Sequence, residues 1–217
     1  MAEDAKQEKE ILAELKKDFP LTKESIKEVD FKHFPSFHRS NNFRITYAWR
    51  FTDFSPRAYF AKYRNSYKVN TAAQQTDQHE LPATATHKFA GIYIKFDYVM
   101  PDFIIRANTQ GDKFLNLYFP NVVKVKSIPA FNHKYILESL DAATIEQVIG
   151  QDIFAMLMNE QDLNIEVKDN KCLIFGLTPF SYEYCKTLIL LAQELIKRNL
   201  ESNIPVEEPT NTSNLLF

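Results

Sequence analysis

Glycine is scarce in this chain, with four among 217 residues, and the four are far apart in the sequence. They are Gly91, Gly111, Gly150 and Gly176. Loops of the G-x-G-x-x-G or G-x-x-x-x-G-K-[ST] type need several glycines within a few residues, because their backbone approaches a phosphate closely. Neither loop can be built from these positions, so the sequence excludes both nucleotide-binding motifs.

Motifs for metal binding and nucleophilic catalysis are also missing. The chain has two cysteines, Cys172 and Cys185, and five dispersed histidines, without a C-x-x-C, H-E-x-x-H or G-x-S-x-G pattern. We therefore predict no catalytic residue, no metal site and no cofactor. Because nothing in the sequence indicates secretion, the two cysteines are predicted to be buried free thiols rather than a disulfide.

Long apolar runs and a strong charge bias are absent too. Apolar runs such as Ile153–Met158 and Leu188–Ala192 are far shorter than the roughly 20 residues that a helix needs to cross a bilayer. The first residues, MAEDAKQEKEILAELKK, are charged throughout and do not resemble a signal peptide. The sequence predicts a soluble, cytoplasmic protein without a membrane segment. The net charge is −2, so any preference for polyanions has to be local.

The composition is otherwise that of a globular protein, with 45% hydrophobic and 25% charged residues. The clearest local pattern is Leu163–Gly176, which reads as two short strands joined by Asp169-Asn170. Both of these residues tolerate the left-handed backbone that a type I′ turn requires. Pairing Lys168 with Lys171 puts five apolar side chains on one face, which flanking helices should cover. These side chains are Leu163, Ile165, Val167, Cys172 and Ile174.

Alternating apolar residues predict further strands. The clearest is Phe43–Phe51, with Phe43, Ile45, Tyr47, Trp49 and Phe51 on one predicted face and Arg44, Thr46, Ala48 and Arg50 on the other. Other strands are predicted at Phe89–Val99, Phe103–Arg106, Lys113–Phe119, Val122–Lys126 and Lys134–Leu137. They are short and joined by tight turns, which favours an antiparallel meander.

Helical spacing and capping residues predict helices on both sides of these strands. They are expected at Ala5–Asp18, Thr22–Val29, Pro56–Tyr67, Asp141–Met158 with an interruption at Gly150, and Ser181–Asn199. The fold class is therefore α+β, a mainly antiparallel sheet with helices near both ends. We divide the chain into a helical N-terminal arm (1–30), a single domain (31–200) and a disordered tail (201–217). The polar loop Asn70–Thr86 is either a lid or a domain boundary.

Four pieces between Phe89 and Gly176 stand in a characteristic order. They are Phe96-Asp97-Tyr98, the pair Phe131 and Tyr135, Asp141-Ala142-Ala143, and the hairpin Leu163–Phe175. In this order they resemble the core of a family of uncharacterised bacterial proteins that share a domain of unknown function. The chain departs from the family in the alanine position of the helix and in lacking the membrane segment that such proteins often carry. The resemblance implies no known activity.

One segment, Phe37–Lys68, has an uneven charge, with seven Lys and Arg residues and a single acid, Asp53. Four arginines are the candidate anion-binding residues: Arg44, Arg50, Arg57 and Arg64. If the next predicted helix packs beside the strand, these arginines would converge on a phosphate or carboxylate through forked hydrogen bonds. Aromatic residues between them would suit base stacking. The alternative, which is favoured because the aromatics fall at strand and helix spacing, is that they are core residues. In that case the basic residues pair with acids of the N-terminal helix or lie in solvent.

The last helix provides a candidate interface. Tyr184, Leu188, Leu191 and Leu195 form one stripe, and further apolar residues make the helix apolar over most of its circumference. Such a helix is either deeply buried or an oligomer interface. Three functions stay open: a non-catalytic protein-interaction module, a binder of an anionic ligand or nucleic acid, and an enzyme of unknown type. The first is favoured, and salt dependence separates it from the second.

Overall fold

The computed structural model describes residues 2–38, 40, 42–68, 84–108, 121–142 and 144–201. These residues form one antiparallel sheet of nine strands with helices near both ends of the chain, which confirms the predicted α+β class. The strands are β1 (Leu21–Glu24), β2 (Phe43–Phe51), β3 (Arg57–Lys68), β4 (Thr84–Lys95), β5 (Phe103–Ala107), β6 (Val122–Val123), β7 (Tyr135–Ser139), β8 (Leu163–Lys168) and β9 (Lys171–Gly176). Their order across the sheet is β1-β2-β3-β4-β9-β8-β5-β7-β6.

The predicted hairpin, β8 and β9, lies at the centre of this sheet. Lys168 pairs with Lys171 and Leu163 with Gly176, which is the predicted register. Asp169 and Asn170 have φ angles of 48° and 60°, the left-handed values that a type I′ turn needs. The predicted hairpin and its register are therefore confirmed, and local sequence is enough to predict them.

The hairpin separates β4 from β5, so the predicted meander is wrong at this point. β9 pairs with β4, and β8 pairs with β5, which itself pairs with β7. A turn signal shows that the chain reverses, but it does not show which strand the reversed segment will pair with. The insertion of a hairpin from much later in the chain is a non-local event that turn residues do not encode.

Helices cover one side of the sheet, which we call the helical face. The helices on this face are α1 (Ala2–Asp18), α3 (Phe131–Lys134), α4 (Ile145–Asn159) and α5 (Tyr182–Glu201). The short helix α2 (Pro35–His38) lies on the opposite side of the sheet. The five apolar hairpin side chains predicted to share a face are at most 2% exposed in the core under α1, α4 and α5. Leu15 of α1 is fully buried there, and α1 packs against α5. Each such buried side chain contributes about 1.5–3 kcal/mol before ordering entropy is subtracted.

The other side of the sheet, which we call the aromatic face, is covered by residues 29–38. Phe31, Phe34 and Phe37 of this segment pack on tyrosines and phenylalanines of the sheet. Phe37, for example, lies with its ring centroid 5.0 Å from that of Phe175 and 5.6 Å from that of Tyr63. The central strands are therefore buried on both faces.

This two-sided burial explains why the predicted helix Pro56–Tyr67 is wrong and β3 occupies its place. Tyr59 and Tyr63 are spaced by four residues, which puts them on one side of a helix and also on one side of a strand. Phe60 lies on the opposite face from Tyr59, in the helical-face core. Because both faces of β3 are apolar, the alternation that marks a strand is lost. Ser55-Pro56 is a cis peptide bond rather than a helix cap.

The predicted helix Thr22–Val29 is also wrong. Leu21–Glu24 forms β1, which pairs with the second half of β2, and only Ile26–Glu28 makes a short 3-10 turn. The Ser25 hydroxyl, not that of Thr22, accepts a hydrogen bond from the Lys27 amide. The interruption at Gly150 is confirmed, since its φ of 77° breaks α4. The predicted strand Lys113–Phe119, most of the polar loop Asn70–Thr86 and the tail after residue 201 lie outside the described residues.

Candidate anion-binding site

A β-bulge in β2 decides which of the four candidate arginines lie together. The register between β2 and β3 shifts between Ile45 and Tyr47, which inserts Thr46 as an extra residue. Phe43 and Ile45 consequently pack on the aromatic face, whereas Trp49 is buried in the helical-face core. The prediction that these residues share one face is wrong, because an extra residue reverses the alternation of side chains.

The bulge brings Arg44 into a row of cations on the helical side of the sheet. Arg44 is the direct cross-strand partner of Arg64, and Arg64 is the partner of Lys88 on β4. Ala90 and Ile92, on the same side of β4 as Lys88, belong to the helical-face core. With strands about 4.8 Å apart, the row from β2 to β4 is roughly 10 Å long. All three cationic side chains are exposed to solvent.

A fourth cation, Lys62, lies two residues from Arg64 on the same side of β3 and is only 5% exposed. Its ammonium group forms a salt bridge with Glu8 of α1. Glu8 also reaches Lys88, with an N–O distance of 2.6 Å. The Lys62 ammonium lies 5.8 Å from the ring centroid of Tyr47 and 5.4 Å from that of Phe180. Glu8 thus joins α1 to two strands of the sheet.

The electrostatic balance of this surface is positive. We define Arg44, Lys62, Arg64 and Lys88 as the cationic patch, and with Glu8 its net charge is +3. Glu8 is the acid paired to the patch within the described part of the chain, and it contacts only the two lysines. Neither arginine has an ion pair or hydrogen bond with another described residue. Like charges directly opposite each other destabilise a sheet, so the Arg44–Arg64 pair costs folding free energy.

The pKa of Glu8 reflects its two lysine partners. Burial acts to raise this pKa, but the hydrogen bonds and charges of Lys62 and Lys88 outweigh burial and lower it below its usual range. The carboxylate is therefore held in its charged form. A group with a lowered pKa in the folded state stabilises the fold at neutral pH, and this contribution is lost as the pH falls.

The other two candidate arginines lie apart from the patch. Arg50 is the partner of Tyr59 and Arg57 is the partner of Lys95, and both partners have side chains on the aromatic face. Arg57 and Arg64 are separated by roughly 23 Å along β3, at about 3.3 Å per residue. Of the predicted set, the structure therefore brings Arg44 and Arg64 together and holds Arg50 and Arg57 on the opposite side.

The candidate interface stripe of α5 is part of the protein's own core. Tyr184 is 6% exposed, and Leu188, Leu191 and Leu195 are fully buried. Of the two alternatives for a helix with such wide apolar coverage, the structure has deep burial. A protein-interaction role stays a prediction, but these four side chains do not supply its surface while α5 is docked.

A second buried acid, Glu166, ties residues 29–38 to the sheet. It is 2% exposed and accepts hydrogen bonds from the amide and the hydroxyl group of Ser36. Burial raises the pKa of Glu166, and the two hydrogen bonds from Ser36 oppose this increase. A neighbouring cavity of about 250 Å³ is lined by Asp102, Glu138 and Lys168, among other residues. The contacts of Glu166 indicate a structural anchor for the cover of the aromatic face.

The other described histidine and cysteine side chains do not form a metal site or a reactive thiol site. His33 and His38 line one cavity of about 310 Å³, and His33 lies 3.3 Å from an Asp169 carboxylate oxygen. Within the described ranges, no three His, Cys, Asp or Glu side chains are grouped to hold a metal ion. Cys172 and Cys185 are buried and free, as predicted. Burial raises the pKa of both thiols, that of Cys185 to about 12, which disfavours the reactive thiolate.

In the part of the chain that the structure describes, no helix has both the length and the apolar character that a membrane crossing requires.

The sequence pattern did not assign Lys62, Lys88 and Glu8 to the site, although the favoured alternative had basic residues paired with acids of the N-terminal helix, as Lys62 is with Glu8. Lys62 and Lys88 become neighbours of the arginines only through strand pairing, and Glu8 reaches them from a helix more than 50 residues earlier in the chain. One local signal was present: the segment Phe37–Lys68, with seven Lys and Arg residues and a single acid.

Comparisons with protein-family models, with curated proteins and with solved structures find no match to this chain. The resemblance of the segment from Phe89 to Gly176 to a bacterial family of unknown function therefore stays a prediction.

Proposed function

We propose that this protein is a non-catalytic binding protein that holds an anionic ligand on the cationic patch. The observation that carries the proposal is the cross-strand pair Arg44–Arg64. Two guanidinium groups face each other there without an acidic partner among the described residues.

The Arg44–Arg64 pair leaves two positive charges uncompensated by the described residues. Like charges opposite each other cost folding free energy, and a bound anion removes that cost while gaining two charge-assisted contacts. Arginine suits this role because its planar fork pairs with two oxygens of a phosphate, sulfate or carboxylate group. Lys88 extends the row, which favours an anion with several charges over a single small ion.

We further propose that the protein acts in the cytoplasm. The two buried free cysteines, Cys172 and Cys185, support this location because the cytoplasm keeps thiols reduced. In secreted proteins, cysteines are commonly oxidised to disulfides.

The experiment compares two double variants that remove the same charge from the same two strands. Arg44→Gln with Arg64→Gln alters the cationic patch, and Arg50→Gln with Arg57→Gln is the matched control on the other side of the sheet. Binding of fluorescently labelled heparin is measured by anisotropy at low ionic strength. The patch variant should bind roughly thirtyfold more weakly, because two lost contacts at about 1 kcal/mol each multiply to that factor.

The control variant should bind heparin within about twofold of the unaltered protein, since Arg50 and Arg57 lie on the opposite side of the sheet from the patch. Equal weakening in both double variants would mean that heparin senses only net charge. Failure of the unaltered protein to bind heparin at low ionic strength would refute the proposal outright.

A further inference from the structure

We infer that the anionic ligand is a single-stranded nucleic acid, with Tyr47 as the platform on which a base stacks. This inference rests on the proposed function and adds the class of ligand. It starts from a juxtaposition that the β2 bulge creates. Tyr47 lies on the same side of the sheet as the cationic patch, and its side chain is 47% exposed.

The geometry around Tyr47 combines aromatic and cationic groups within a few ångströms. Tyr47 is the cross-strand partner of Lys62, which stands two residues from Arg64 on β3. The Tyr47 ring is therefore one step of roughly 7 Å along the strands from the Arg44–Arg64 pair. It also stacks on Trp49, with a centroid distance of 5.6 Å and an interplanar angle of 26°. This stack fixes the orientation of the exposed ring.

Each part of a single-stranded nucleic acid has a counterpart here. Its phosphates meet Arg44, Arg64 and Lys88, and an unpaired base has a π face that stacks on an aromatic ring. Sheet surfaces that carry exposed aromatics beside basic residues bind single strands in this way. A duplex keeps its bases stacked inside, and a lipid headgroup or inorganic polyphosphate has no base, so each of these would use the cations and leave Tyr47 without a role.

Among the residues whose burial the structure describes, Tyr47 is the one aromatic residue that is largely exposed. The sequence pattern also makes Tyr59, Phe60, Tyr63 and Tyr67 candidates for stacking. The first three are at most 2% exposed and belong to the two cores, and the side chain of Tyr67 lies outside the described part of the structure. The three buried residues cannot contact a base while the sheet is covered. We therefore expect one stacked base beside a short run of phosphates. Such a site binds a few nucleotides without a preference for their base sequence.

The test uses the unaltered protein with two ligands that differ only in their bases. One is a labelled oligodeoxynucleotide of about ten residues, and the other is an abasic strand with the same number of phosphates. Loss of one stacked base should weaken binding roughly five- to a hundredfold. Trp49 is the only tryptophan in the chain and contacts Tyr47. Its fluorescence should therefore change with the base-containing strand and not with the abasic one.

Two variants of Tyr47 give an independent check. Tyr47→Phe keeps an aromatic ring and should bind the oligonucleotide within about twofold of the unaltered protein, whereas Tyr47→Leu should bind it as weakly as the unaltered protein binds the abasic strand. Heparin binding should be the same in all three proteins, because heparin has no base. Urea midpoints of the variants are measured in parallel, and the abasic comparison stands even if Tyr47→Leu does not fold.

The outcomes separate the two claims. Equal affinity for the base-containing and abasic strands would overturn the stacking inference while leaving the proposed anion binding intact. Tighter binding to phosphatidylglycerol vesicles or to duplex DNA than to the oligonucleotide would also overturn it. Failure of the unaltered protein to bind heparin, by contrast, refutes the proposed function itself.

Discussion

Replacing Glu8 by Gln tests how α1 is attached to the sheet. Of the acids that the structure describes, the change removes the one in contact with the Lys62 ammonium group, and the Lys62 side chain is 7% exposed. Removing one partner of a buried ion pair leaves an uncompensated charge and typically costs about 3–5 kcal/mol of folding free energy. The rings of Tyr47 and Phe180 remain near this ammonium, so we expect the lower end, about 3 kcal/mol. The half-exposed Lys88 contact adds less than about 1 kcal/mol.

Urea denaturation followed by Trp49 fluorescence measures this loss as a lower midpoint at an unchanged slope. For a chain of this length, about 3 kcal/mol corresponds to a fall in Tm of roughly 6–12 °C. Glu10→Gln is the matched control on the same helix. With the residues placed in the structure, Glu10 makes one exposed contact, 3.9 Å from Lys6, so its loss should cost less than about 0.5 kcal/mol.

Two further measurements check the physical reason for the loss. Adding Lys62→Met to Glu8→Gln removes the unpaired charge and should restore stability to within about 1 kcal/mol. The effect of Glu8→Gln should also shrink as the pH falls below 4.5, the ordinary value for a glutamate, because the lowered pKa of Glu8 stabilises the fold only while the carboxylate is charged. A loss no larger than that of Glu10→Gln, or no recovery with Lys62→Met, would refute the reasoning.

Three other changes have defined outcomes. Because burial raises the pKa of Glu166, the contribution of this carboxyl group to stability is present at low pH and lost as the pH rises. Relative to the unaltered protein, Glu166→Gln should therefore become more stable as the pH rises from 4 to 7. A difference in urea midpoints that does not change with pH would contradict this. Asn170→Ala removes a left-handed turn residue and the hydrogen bond to Met100, and should cost about 1–2 kcal/mol, whereas Asn170→Gly should cost less; equal costs would show that backbone conformation is unimportant there. Leu188→Ala should cost about 2–5 kcal/mol without changing the mass measured by light scattering, and a change in oligomeric state with little loss of stability would assign α5 to an interface.

The sequence predicted those parts of the fold that local chemistry determines. Asp169-Asn170 fixed the hairpin register because few residue pairs accept two consecutive left-handed conformations. Gly150 was recognised as a break in α4 for a related reason, its positive φ. The position of the hairpin between β4 and β5 was missed, since strand order depends on contacts between residues about 80 positions apart.

The candidate site was half predicted. The basic segment Phe37–Lys68 indicated the correct strands. In the helix expected at Pro56–Tyr67, however, Arg57 and Arg64 would lie on one face. In β3 they have opposite orientations, because seven positions is an odd number in a two-residue repeat. The bulge at Thr46 separated Arg44 from Arg50 for a similar reason. Bulges depend on the partner strand and leave little trace in a single sequence.

The most direct test of the cationic patch is the salt dependence of its binding to a single-stranded oligonucleotide. Three phosphate contacts predict a slope of about −2 for the logarithm of the binding constant against the logarithm of salt concentration. Arg44→Gln with Arg64→Gln should make this slope less steep by about 1.4, and Arg50→Gln with Arg57→Gln should leave it unchanged. The same slope in all three proteins would contradict the assignment of the patch as the anion-binding surface.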